Sequence, residues 1–137
     1  MNFDQQSVFV YGTLKPGGRY WQQYCEGKLS GLLEAKIRGQ LYDLQVGYPG
    51  LLLGGADWVY GYVLQFAKRA DFEQLDVLED FVPGRPLGAN EYLRVRVECF
   101  DPATEVALGH VWAYEMTRGR LQSFNARRLE DGQWPIA

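Results

Sequence analysis

With 137 residues, 47% hydrophobic and 15% aromatic, the chain fits one domain that buries about two thirds of its unfolded surface, and it needs no staple. A net charge of −3 opposes a nucleic-acid role, which calls for a basic stripe, and a single histidine, His110, argues against a His-rich zinc site or a His-based triad. Two cysteines make no disulfide framework, no apolar run approaches the roughly 20 residues of a membrane span, and the opening MNFDQQ is unlike a signal peptide, so a soluble protein of the reducing cytoplasm is expected.

In chain order, Ser7–Thr13 reads as the first strand. Val8, Phe9, Val10 and Tyr11 put apolar or aromatic groups on both faces, which places it inside a sheet or barrel. It runs into a loop broken by Gly12, Pro16, Gly17 and Gly18, leaving the N–H groups of Gly12, Thr13 and Leu14 without obvious partners. Such groups can hold a carboxylate or an oxyanion. Arg19–Glu26 then predicts a short helix stopped by Gly27. Lys28–Ala35 and Ile37–Asp43 alternate as two strands, the second with Ile37, Gly39 and Leu41 on one face. Gln45–Gly50 is a loop by its glycine and proline content.

Asp57–Phe66 carries Trp58, Tyr60, Tyr62, Leu64 and Phe66 at period two, a strong strand signal, with Gly61 marking a bulge, a bend or a close backbone approach. Asp71–Asp80 is the one main helix, with Asp71 as its cap. Val82–Asn90 is a loop, rich in proline and glycine. Tyr92–Phe100 is a strand with Leu93, Val95, Val97 and Cys99 towards the core and Tyr92, Arg94, Arg96 and Glu98 on a charged face. It makes a hairpin with Val106–Tyr114 across Asp101–Thr104, and Phe124–Leu129 reads as a short helix. There is no repeat or linker, so residues 1–137 form a single domain. Strands outnumber helices, which suits a small mixed α+β barrel or sheet better than a doubly wound fold.

One carboxylate is out of place. On an ideal wheel of about 100° per residue Glu79 falls near 340°, between Leu75 near 300° and Phe72 at zero, so it points with the apolar stripe. A carboxylate aimed at a core must be hydrogen-bonded, neutralised or lining a cavity. Burial and the negative end of the helix would both raise its pKa towards the range useful to a general acid or base. A helix that ended at Leu78 would instead turn Glu79 into water.

Other chemistries lack their residues. The sequence has no G-x-S-x-G elbow, no Gly-Lys-Ser/Thr after the first loop and no dinucleotide fingerprint. Cys25 reads as buried packing rather than a nucleophile, and His110, on an apolar strand, as a hydrogen-bonded core histidine.

The strand-loop V-F-V-Y-G-T-L (Val8–Leu14), the helix L-D-x-x-E (Leu75, Asp76, Glu79) and the later Y-x-R (Tyr92, Arg94) together resemble the γ-glutamylcyclotransferase-like family, and look closest to its small members related to γ-glutamylamine cyclotransferase. The resemblance runs from Val8 to Tyr114; the proline-rich loop Val82–Asn90 has no counterpart in it. It implies a small mixed barrel flanked by helices, with Tyr11, Gly12, Thr13 and Leu14 lining the substrate site through their backbone and Glu79 as the catalytic acid/base. Tyr92, Arg94 and Tyr114 match further substrate-binding positions. The reaction implied is cyclisation of a small γ-glutamyl amide to 5-oxoproline with release of an amine or amino acid. The substrate's own amine is the nucleophile, so no cofactor and no metal is required. A non-catalytic module that keeps the cavity and binds a small carboxylate is the competing expectation.

Overall fold

The computed structural model describes residues 3–135. Its first strand, β1 (Ser7–Val10), is buried at all four residues. Val8 and Val10 face one apolar cluster, while Phe9 and, just past the strand, Tyr11 face another. A strand with core on both faces needs partners on both edges, and β1 has them. It pairs antiparallel with β3 (Pro49–Phe66), Val10 opposite Tyr62, and parallel with β5 (Ala107–Glu115), Val8 opposite Trp112.

From β5 the pairing passes to β4 (Leu93–Phe100), from β4 to β2 (Leu29–Asp43) at Phe100 opposite Lys36, and from β2 along its whole length back to β3. The mixed sheet thus pairs in a ring, with short β6 (Arg127–Leu129) added to β2. Helices are few and short: α1 (Trp21–Tyr24), α2 (Arg69–Leu78) and α3 (Arg118–Gln122). This is the α+β class that the residue pattern implies. Among the described residues no helix is long and apolar enough to cross a membrane.

The two clusters divide by origin. One contains Phe9, Ile37, Val59, Val63, Cys99 and Val111, drawn from all five ring strands and from no helix. The other sets Val8, Val10, Leu64 and Phe66 against Phe72 and Leu75, the apolar stripe of α2. Along the second half of β3, Val59, Val63, Leu64 and Phe66 are buried, and Trp58, Tyr60 and Tyr62 are half-buried. Gly61 lies between them for a steric reason: a Cβ there would stand 2.1 Å from the Val10 carbonyl oxygen. Only a shift of β1 and β3 against each other could relieve that contact. Gly61→Ala is therefore expected to cost roughly 1–3 kcal/mol, read as a lower urea midpoint at unchanged slope.

Several boundaries differ from the sequence reading, each for a local reason. β1 ends at Val10 rather than Thr13, and the expected helix Arg19–Glu26 contracts to one turn, although Gly27 does adopt φ 78° after it. The two strands expected around Lys36 are a single strand. Lys36 runs through it buried, its ammonium 2.6 Å from Glu105 and 4.2 Å from the centre of the Trp58 ring. β3 begins at Pro49, inside the expected loop, and the sequence from Gly54 to Asp57 bulges out where Arg38 pairs with Trp58 but Gly39 with Leu53. Gly54 and Gly55, at φ 95° and 85°, supply that turn.

α2 starts at Arg69 with Lys68 at its cap position, not Asp71. The expected helix Phe124–Leu129 is instead the end of a loop and β6; the helix lies earlier, at α3, where Thr117 caps the Arg120 N–H. His110 is exposed, opposite the equally exposed Glu98 on β4. It is not a core histidine. Cys25 is fully buried, and burial pushes its thiol up to about 12, which suits packing and not nucleophilic attack.

Candidate active site

The chain leaves β1 at Tyr11 and turns at once. Tyr11 is buried, and its hydroxyl donates to the Tyr114 carbonyl at 2.6 Å, so its ring fastens the loop to β5 and leaves its backbone to the site. Burial, with Glu79 and Glu115 nearby, keeps that phenol protonated well above its usual range. Gly12 passes beneath Pro49 so closely that a Cβ would lie 2.6 Å from the proline ring. The carbonyls of Gly12 and Thr13 accept from the N–H groups of Lys15 and Tyr20, which fixes the turn. The N–H groups of Gly12, Thr13 and Leu14 donate to no acceptor among the described residues.

These backbone groups form one wall of a cavity of about 280 Å³. Tyr11, Gly12, Thr13, Leu14, Glu79, Tyr92 and Tyr114 all line it. Arg94 does not. Its guanidinium binds Asp76 at 3.1 Å and lies over the rings of Trp112, Phe72 and Phe81, at 4.7, 5.2 and 5.7 Å from their centres. Asp76 also accepts the Tyr114 hydroxyl at 2.6 Å. The Y-x-R segment thus splits: Tyr92 faces the cavity, and Arg94 steadies the helix that carries Glu79.

Glu79 reaches the cavity by way of the helix end. α2 stops at Leu78 and Glu79 is its C-cap. The chain then closes as a Schellman motif, with Phe81 N–H donating to the Asp76 carbonyl and Asp80 N–H to that of Val77. Asp80 takes the left-handed conformation this needs, φ 53°, where glycine is the usual occupant. The helix does end at Leu78, yet Glu79 lines the cavity instead of turning out into solvent. Its carboxylate has no hydrogen-bond or ionic partner among the described residues. Burial first, then the charges of Glu91 and Asp76, push its pKa up to about 8.

Sequence reasoning missed a second group of lining residues. Glu91 is held on both oxygens, by the Tyr48 hydroxyl at 2.8 Å and by Arg120 at 2.6 Å. The loop between Glu79 and Glu91 is drawn shut because the Asp80 carbonyl accepts both Glu91 N–H and the Arg85 guanidinium, and Asn90 binds Arg85 and Val82 N–H. Tyr92, whose phenol is kept protonated by burial, donates to the Pro49 carbonyl. Tyr48 and Glu91 gave no periodic signal, because each sits in a bend just ahead of a strand, Tyr48 before β3 and Glu91 two residues before β4. Among the described residues no group of three or more His, Cys, Asp or Glu side chains is disposed to hold a metal.

The arrangement offers three unengaged amide donors, a neutralisable carboxylic acid, and a fixed anion around one space. Residues 8–135 match the family described as gamma-glutamyl cyclotransferase, AIG2-like. A Vibrio cholerae protein, provisionally named a gamma-glutamylcyclotransferase, is 35% identical over 130 residues, spanning 95% of this chain and 96% of its own. Among solved structures, an uncharacterised Pyrococcus horikoshii protein superposes with TM-score 0.61 at 22% identity over 93% of this chain and 87% of its own. An AIG2-like protein from Mus musculus gives 0.56 at 20% identity over 90% and 85%. YkqA from Bacillus subtilis gives 0.62 at 20% identity, and this chain spans 39% of its length. The structural likenesses concern the fold.

Proposed function

Since the chain belongs to the gamma-glutamyl cyclotransferase, AIG2-like family, we propose that it cyclises a γ-glutamyl amide to 5-oxoproline and a free amine or amino acid, with Glu79 as general acid and base. The observation that carries this reading is Glu79 itself, an unpartnered carboxylate lining the cavity with its pKa raised to about 8.

An α-ammonium has a pKa of about 8. Proton transfer between that ammonium and Glu79 is then close to balanced, the condition in which acid/base catalysis works best. Ionised Glu79 takes one proton from the α-ammonium. The freed nitrogen attacks the γ-carbonyl carbon, a C–N bond forms, and the carbonyl oxygen becomes an oxyanion. As the intermediate collapses, the bond to the departing nitrogen breaks. In sum two protons leave the attacking nitrogen and two arrive on the departing one, Glu79 carrying each in turn and ending as it began. The N–H groups of Gly12, Thr13 and Leu14 supply donors for the α-carboxylate or the oxyanion. Tyr48, Tyr92, Tyr114 and Pro49 pack the remaining walls and hold the substrate folded on itself, which favours intramolecular attack.

The test is a panel of γ-glutamyl amides, γ-glutamyl amino acids and glutathione assayed for 5-oxoproline. Release from at least one is expected. No release from any of them, while a small carboxylate still raises the melting temperature, would overturn the enzyme reading in favour of a binding module.

A further inference from the structure

Glu91 is a second carboxylate on the same cavity, and its surroundings are the opposite of those of Glu79. Glu79 has no partner; Glu91 accepts from the Tyr48 hydroxyl on one oxygen and from Arg120 on the other. A carboxyl that accepts on both oxygens carries no proton, and each oxygen keeps a lone pair free for one more donor. Glu91 is among the residues that line the cavity and its partner Arg120 is not, which sets the acid of the pair nearer the cavity than the cation. The cavity meets the negative end of that pair. Two carboxylates in such different surroundings, one without a partner and one held on both oxygens, are suited to separate tasks.

We propose that Glu91 is the anion that receives the substrate's α-ammonium, held in place for that purpose by Tyr48 and Arg120, while Glu79 moves the protons. This assignment rests on the cyclotransferase reading. Glu79 is poorly suited to attract a cation, because near neutral pH it is mostly uncharged. A fixed anion meets the need twice. It binds the ammonium as the substrate enters, and it faces the positive charge that reappears on the nitrogen once it has attacked the carbonyl. An interaction present in both states lowers KM and leaves kcat nearly unchanged. Asp80, the third acid on the cavity, is exposed and paired with Arg85, and among the described residues no lysine, arginine or histidine lines the cavity to repel an ammonium.

The product provides the control, because in 5-oxoproline the same nitrogen is a neutral lactam N–H. Glu91→Gln is expected to raise KM for the γ-glutamyl amide by about tenfold or more; because the charge of Glu91 also helps to raise Glu79, kcat is compared at each protein's own pH optimum and is expected within about threefold of the parent. Inhibition by 5-oxoproline should stay at the parental constant. If loss of Glu91 merely loosened the wall, substrate and product would weaken together, and that result overturns the assignment. So does an unchanged KM in an active parent. A parent that releases no 5-oxoproline overturns the functional reading, and the assignment falls with it. Should Glu91→Gln fail to fold, Glu91→Asp keeps the charge one methylene further back, and the same divergence between KM and product inhibition is expected on a smaller scale.

Discussion

Glu79→Gln is expected to abolish measurable turnover in a protein that still folds. The amide matches the acid in size but can neither take a proton from the α-ammonium nor give one to the departing nitrogen, and acid/base catalysis of this kind is worth about 10²–10⁴-fold. The fall should appear in kcat. In the parent the reacting pair needs one proton shared between Glu79 and the amine. With Glu79 at about 8 and an α-amine near the same value, kcat/KM should trace a bell with its maximum near pH 8. On the acid side both groups hold protons; on the alkaline side neither does. Residual activity in the variant should lose the limb that belongs to Glu79. A variant within threefold of the parent across that range would remove Glu79 from the mechanism.

The same substitution should make the protein more stable, and only above acid pH. The folded state raises Glu79 from 4.5 to about 8, so folding takes up a proton between those values. Stability from this group is complete below about pH 4.5 and is lost as pH rises through 8, because the native state then holds a charge that the unfolded chain solvates better. At roughly 1.4 kcal/mol per pKa unit the deficit reaches about 5 kcal/mol at most. Glutamine does not titrate and escapes it. Parent and Glu79→Gln should therefore melt together near pH 5 and separate progressively, the variant on the order of 10 °C higher by pH 8.5. Melting curves that stay parallel from pH 5 to 9 would show that Glu79 is not held in the state described. Stability given up at a residue that the proposed reaction needs is the usual form of an activity–stability conflict.

Both expectations start from a residue visible on a helical wheel. The period of α2 was strong enough to put Glu79 on the apolar side, and the run of both-faced apolar residues at Val8–Tyr11 was enough to place β1 in the interior. What did not show in the sequence depended on partners far along the chain. Lys36 reads as a strand break until Glu105 and Trp58 are seen to satisfy it. Arg94 reads as a ligand group until Asp76 is found against it, and Glu91 is silent until Tyr48 and Arg120 meet on its two oxygens. Asp80 hides the end of α2, because a non-glycine residue takes the left-handed position. Periodicity reports the face a residue occupies within its own element; it carries no information about which distant side chain completes that face.

The place of β1 in the ring bears on how the protein reaches its native state. β2 with β3 and β4 with β5 are antiparallel neighbours in sequence, contacts a chain can make quickly from its own local loops. β1 instead slots between β3 and β5, and Val8 must meet Trp112 across most of the chain's length. Such long-range pairing carries a large loop-closure entropy and comes late on a folding pathway. The Gly12–Leu14 turn leaves the end of that strand, and Tyr11 is pinned to Tyr114 of β5. A nascent chain lacking β5 therefore has every lining residue except Tyr114, yet lacks the site. The cavity is thus complete only when the ring has closed, so a partly folded molecule would be unable to carry out the proposed reaction.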